Sequence, residues 1–109
     1  MASEVFRPDL LQGNVAIVTG GGSGLGRATA LELASLGADV IVCGRRAGPL
    51  QETAELDPGH HVHAQTCDIR EEDQVDALVD AVLERHGRVD LLVNNAGGQF
   101  MAPAEDITP

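Results

Sequence analysis

Short uninterrupted apolar runs alternate along this chain with longer stretches in which apolar residues recur every three or four positions. Val15 to Thr19 is the first run, rich in β-branched residues and bounded by Gly13-Asn14 and by glycines, and it predicts a buried strand. From Gly24 to Leu36 the period changes. Ala30, Leu33, Ala34 and Gly37 fall at i, i+3, i+4 and i+7, one face of a helix, with Gly37 suited to its stop. Val40-Ile41-Val42-Cys43 reads as a second buried strand ended by Gly44. Gly48 and Pro49 interrupt the stretch from Arg46, so a short helix is predicted only from about Pro49 to Leu56. Asp57-Pro58-Gly59 has the composition of a turn, and His61 to Thr66 alternates well enough for a third, shorter strand. Glu71 to His86 is the most regular helix pattern. Its acidic first turn suits the positive end of the helix dipole, Val75, Leu78, Val79 and Val82 form the apolar stripe, and Arg85 and His86 precede Gly87. Val89 to Val93 predicts a fourth strand, and Asn94 onward reads as loop.

The order is therefore β-α-β-α-β-α-β. Strands joined by helix-length crossovers must run parallel, and near-continuous apolar strands are covered on both faces. With right-handed crossovers this predicts an α/β fold: an incomplete Rossmann-type doubly wound parallel sheet, strand order 3-2-1-4, across residues 1–109. Thr108-Pro109 is a helix-start signal with no helix after it, and strand four would lack an outer neighbour. An apolar edge left bare in this way predicts marginal stability or aggregation, and a portion of a longer domain.

Composition narrows the partners. The chain carries 17 Asp plus Glu against 7 cations, all Arg, for a net charge of −10. So acidic a surface repels phosphodiester backbones and anionic headgroups, and two aromatics, Phe6 and Phe100, offer no stacking platform; nucleic acid and membrane are not expected as partners. The N-terminus shows no basic region followed by an apolar stretch, and no window approaches 18 apolar residues. Cys43 and Cys67 form no C-x-x-C pair and read as reduced thiols, which together with the missing leader predicts a cytoplasmic protein.

The strongest local signal is Thr19-Gly20-Gly21-Gly22-Ser23-Gly24-Leu25-Gly26, between the first strand and the first helix. Gly20 lets the chain turn off the strand, Gly24 admits a pyrophosphate close to the backbone, and Gly26 lets the helix pack on the sheet. Gly20, Ser23, Gly24, Leu25 and Gly26 are thus candidate dinucleotide-binding residues. Their spacing, T-G-x-x-x-G-x-G, resembles the glycine motif of the short-chain dehydrogenase/reductase family. Two further marks of that family stand in order: Asp68-Ile69 after the third strand, and Asn94-Asn95-Ala96-Gly97 after the fourth. The resemblance implies that Asp68 and Ile69 hold the adenine ring and that Asn95, Ala96 and Gly97 line the cofactor pocket.

Strand two ends in Gly44 and then Arg45 and Arg46, where an NAD-specific site places an acid for the ribose 2′-hydroxyl. Arginine instead offers paired donors to a 2′-phosphate, so Arg45 and Arg46 point to NADP(H). The run from Asn94 to Ala104 is similar to the loop of the trans-2-enoyl-CoA reductase group of the family, although that group has Gly where this chain has Ala96. That resemblance implies an acyl-CoA or carbonyl substrate; Gly98, Gln99 and Phe100 lie just past a strand's carboxyl end, where open α/β sheets hold ligands, and read either as substrate contacts or as a structural loop. A 2,4-dienoyl-CoA reductase or a 3-oxoacyl reductase fits almost as well. Members of the family use a Tyr and a nearby Lys for proton transfer and are often homo-oligomers. This chain has no Tyr and no Lys, so no catalytic residue is assigned within it. A non-catalytic NADP(H)-binding module is the alternative, and a structural protein with a vestigial glycine loop is a third. No metal site is expected: His60, His61 and His63 read as a solvated strand start, and Glu71-Glu72-Asp73 as a helix first turn.

Overall fold

A computed structural model describes residues 10–22, 24–94 and 100–103. The elements are β1 (Val15–Thr19), α1 (Gly24–Ser35), β2 (Asp39–Gly44), α2 (Ala47–Glu55), β3 (Val62–Thr66), α3 (Glu72–His86), β4 (Leu91–Asn94) and β5 (Phe100–Pro103). They form one sheet in the order β3-β2-β1-β4-β5, a partial Rossmann fold whose first four strands are parallel.

Strand alternation divides the core into two layers. Val18, Val40, Val42 and Val62 face one side and meet Ala30 and Ala34 of α1 and Leu50 of α2. Val15, Ile17, Ile41 and Cys43 face the other and meet Leu78 and Val82 of α3. Apolar side chains are needed on both faces of the central strands, which is why their sequences show no polar alternation. Gly26, Ala30 and Ala34 are the buried positions of α1, a stripe of small residues at spacing four that lets the helix backbone lie close to the sheet. Gly87 ends α3 in a left-handed conformation, its N–H donating to the Leu83 carbonyl at 2.8 Å.

At the amino ends of the strands, two aspartates fasten the backbone. The Asp57 carboxylate is 5% exposed and accepts the N–H groups of Gly59, His61 and Val62, shaping the turn into β3. Asp90 accepts the Val15 N–H at 2.8 Å while its own N–H donates to the Val15 carbonyl at 2.8 Å, fixing β4 beside β1. Arg88 donates to both Asp90 oxygens and holds that carboxyl below the usual carboxylate range.

Two expectations are corrected. Helix α2 begins at Ala47 rather than near Pro49, because a first-turn residue has no intrahelical partner for its N–H and proline there loses nothing. The outer edge of β4 is not bare: β5 pairs with it antiparallel, Leu91 opposite Pro103 and Asn94 opposite Phe100. An antiparallel return needs no crossover helix, and the short F-M-A-P run ending in proline carries no strand pattern. His60 is exposed and His61 and His63 are partly exposed at the start of β3, as expected of a solvated strand start. His61 Nδ1 lies 3.5 Å and His63 Nε2 3.7 Å from Asp39 Oδ1, and the His63 and His86 rings sit 5.6 Å apart. Among the described residues no group of three His, Cys, Asp or Glu could hold a metal ion, and no helix is long and apolar enough to cross a membrane. The Thr108-Pro109 signal lies outside the described residues.

Candidate functional site

The carboxyl ends of β1, β2 and β3 open onto a cleft of about 400 Å³, lined by Thr19, Gly20, Gly44, Arg45, Asp68 and Ile69 among others. Parallel strands necessarily bring these ends together, although they lie far apart in sequence. Gly20 turns off β1 at φ +67° and donates its N–H to the Cys43 carbonyl at 2.9 Å. The next two glycines are required by close approach: a Cβ on Gly21 would lie 2.6 Å from Val42, and one on Gly22 2.8 Å from Pro49. Gly24, at φ +57°, faces open space, Leu25 is exposed, and Gly26 is buried against the sheet. The loop is thus pressed against β2 and α2 on one side and bare on the other, where an anion could meet the α1 N-terminus.

Arg45 lines the cleft, and Arg46 stands just before the first turn of α2 in extended conformation. Both are exposed, and among the described residues neither side chain makes a hydrogen bond or a close ion pair, although the Arg45 charge helps to keep Asp68 ionised. Asp68 differs. Arg70 donates to it through its backbone N–H at 3.0 Å, Nε at 3.1 Å and Nη2 at 3.0 Å, and these bonds hold its carboxyl down at about 2. It therefore stays ionised as a hydrogen-bond acceptor beside Ile69. Cys43 and Cys67 border the same cleft as free thiols; burial, with Cys67 nearby, pushes Cys43 up to about 12, and burial, then the Asp68 charge, raises Cys67. A protonated thiol is a poor nucleophile.

Of the other expected residues, Ser23, Asn95, Ala96, Gly97, Gly98 and Gln99 lie outside the described residues, and Phe100 is described only as part of β5. Asn94 is placed: Thr19 Oγ1 lies 3.0 Å from Asn94 Oδ1 and donates to the Val93 carbonyl at 3.3 Å, tying the ends of β1 and β4. Arg27 and Thr53, which bond the glycine loop to α2, are not apparent from sequence. Their partners are 26 and 32 positions away, and no local spacing signals such a contact.

Residues 14–109 match the family described as short chain dehydrogenase. The chain belongs to the short-chain dehydrogenase family. It is 36% identical over 106 residues to a peroxisomal 2,4-dienoyl-CoA reductase of Arabidopsis thaliana, covering 95% of this chain and 36% of that protein. It is 35% identical over 109 residues to the peroxisomal 2,4-dienoyl-CoA reductase of Danio rerio, covering 97% and 36%. Among solved structures it resembles a citronellol catabolism dehydrogenase of Pseudomonas aeruginosa, with a TM-score of 0.78 and 50% identity over 83% of this chain and 38% of that one. An actinorhodin polyketide ketoreductase with NADPH gives a TM-score of 0.71 at 42% identity, covering 76% and 33%. A Brucella melitensis 3-ketoacyl-(acyl-carrier-protein) reductase complexed with NADH gives 0.70 at 39%, covering 76% and 34%. The chain spans about 36% of the length of the two dienoyl-CoA reductases.

The peroxisomal relatives overturn the cytoplasmic expectation. That expectation used the composition of the first residues and the reduced cysteines. Peroxisomal import is read from a short C-terminal address and leaves neither mark.

Proposed function

We propose that this short-chain dehydrogenase chain is the dinucleotide-binding portion of an NADP(H)-dependent oxidoreductase. One observation carries the choice of NADP(H): the end of β2 presents Arg45 and Arg46, neither bonded to any described partner, where an acid would select NAD. An acid about 4 Å from a 2′-phosphate would oppose it by roughly 4 kcal/mol per charge pair at an effective dielectric of 20; arginine reverses the sign. In this reading Gly20, Ser23, Gly24, Leu25 and Gly26 take the pyrophosphate, Asp68 and Ile69 the adenine, and Asn95, Ala96 and Gly97 border the pocket further along. The bound nicotinamide supplies or accepts a hydride. With neither Tyr nor Lys among these 109 residues, the proton-transfer groups come from elsewhere in a longer protein.

For substrate we propose an acyl-CoA carrying conjugated unsaturation, supported by the two dienoyl-CoA reductases. Reduction of a ketone or 3-oxoacyl group is the second reading, favoured by the ketoreductase and 3-ketoacyl reductase structures. Titration with NADPH and NADH, read by calorimetry or by the fluorescence of the reduced nicotinamide itself, tests the cofactor. NADPH is expected to bind more tightly, and Arg45→Glu to weaken it by about 10- to 100-fold while sparing NADH. Equal affinity of the native protein for both dinucleotides would sink the assignment.

A further inference from the structure

Arg27 lies in the first turns of α1, where an exposed arginine would ordinarily be free. Here its side chain is only 26% exposed and its donors are engaged by the glycine loop and by α2. Nε donates to Thr53 Oγ1 at 2.9 Å; Nη2 donates to the Gly22 carbonyl at 2.6 Å, to the Pro49 carbonyl at 3.1 Å and to Glu52 at 3.2 Å. The Thr53 hydroxyl, fully buried, lies 2.7 Å from the Gly21 carbonyl and donates to it. The carbonyls of both middle glycines are therefore consumed by one bridge. A trans peptide sets its N–H opposite its C=O, so anchoring the Gly21 carbonyl turns the Gly22 N–H away from α2. The same guanidinium grips the Pro49 carbonyl in the first turn of α2, whose preceding two residues are Arg45 and Arg46. The contact is tight as well as polar, because Gly22 has no room for a Cβ against Pro49.

We propose that Arg27, acting with Thr53, is a positioning residue that locks the glycine loop and the Arg45-Arg46 segment into one unit and thereby sets discrimination for the 2′-phosphate. This rests on the NADP(H) reading above. A dinucleotide spans both segments, the pyrophosphate on one and the 2′-phosphate on the other, so its affinity depends on the distance between them. NADH lacks the 2′-phosphate and so draws less on the second. The solvent-facing bond to Glu52 adds little, being 68% exposed on the acid's side; the inward bonds carry the coupling.

The test measures dissociation constants for NADPH and NADH with the full-length protein and the variants Arg27→Met, Thr53→Val and Thr53→Ser. Arg27→Met keeps much of the length of the side chain and removes its donors. It is expected to weaken NADPH about tenfold and NADH less than about threefold, so that the preference falls. Thr53→Val keeps the shape without the hydroxyl and should shift the preference the same way. Thr53→Ser keeps the hydroxyl and should restore it, a rescue that holds the test open even if Arg27→Met fails to fold. Parallel loss of both affinities, or Thr53→Ser behaving like Thr53→Val, overturns the proposal and leaves a packing role. Native protein that binds neither dinucleotide overturns the functional reading and this proposal together; native preference that survives in all three variants overturns this one alone.

Discussion

The two ends of the sheet use charge in opposite ways. At the amino ends, Asp57 and Asp90 are spent on the chain itself, accepting backbone N–H groups that β3 and β1 would otherwise leave unsatisfied. At the carboxyl ends, Arg45 and Arg46 bond to no described partner, and the glycine loop turns a bare backbone outward. The amino-end aspartates are engaged by the backbone, whereas at the carboxyl ends Asp68 is paired with Arg70 but the two arginines are left open. The difference separates residues that hold the fold from residues held ready by it, although both classes are charged and both stand at strand ends.

Substitutions that exchange these roles should act on different measurements. The largest effect on stability is expected from Asp57→Ala, which strips the acceptor from three backbone N–H groups at a site 5% exposed. A loss of about 2–3 kcal/mol in urea unfolding is expected, with dinucleotide affinity unchanged in the molecules that remain folded. Gly22→Ala tests the other end. Its new Cβ would meet Pro49 at 2.8 Å, costing about 1–2 kcal/mol of unfolding free energy and, more tellingly, most of the NADPH binding seen by titration. An alanine variant that binds normally would break the distinction between the ends.

The smallest expected effect is that of pH. Asp68 and Asp90 both have carboxyls held below their unfolded values by Arg70 and Arg88, Asp68 at about 2. A depressed carboxyl stabilises the fold above its unfolded value near 4, and that contribution is lost as pH falls toward about 2. Melting temperature measured from pH 5 to pH 2 should therefore decline, and Asp90→Asn should flatten the amino-end share of that decline while leaving the Asp68 share. A decline of unchanged size in Asp90→Asn would show that its carboxylate adds nothing beyond its shape.

Local pattern made most of the fold legible. The β-branched runs at Val15 and Val40, the glycine cluster after Thr19 and the acidic start and Gly87 stop of α3 each state their element within a few residues, and the parallel order comes from the crossovers between them. The features that escaped sequence reading are non-local or short. Antiparallel β5 has four residues and ends in proline. The Arg27 bridge joins α1 to α2, and the Asp90–Val15 exchange spans 75 positions. That Gly20, Arg45 and Asp68 line one cleft was legible because each stands at the end of a readable strand. The pairing of Asp68 with Arg70 was not, since the same two residues would suit a solvated loop equally well.

The pairing of β1 with β4 also sets a schedule. β1 is the central strand, and its second neighbour is the last parallel strand to be made: Ala16 waits for Leu91 and Val15 for Asp90. During vectorial synthesis β1, β2 and β3 can assemble early, but one edge of the most apolar strand stays open until β4 has left the ribosome. Contacts of such sequence separation make folding slow and leave an adhesive edge for its duration. The nascent chain, more than the finished one, is therefore the form in which this sheet is most exposed to wrong partners.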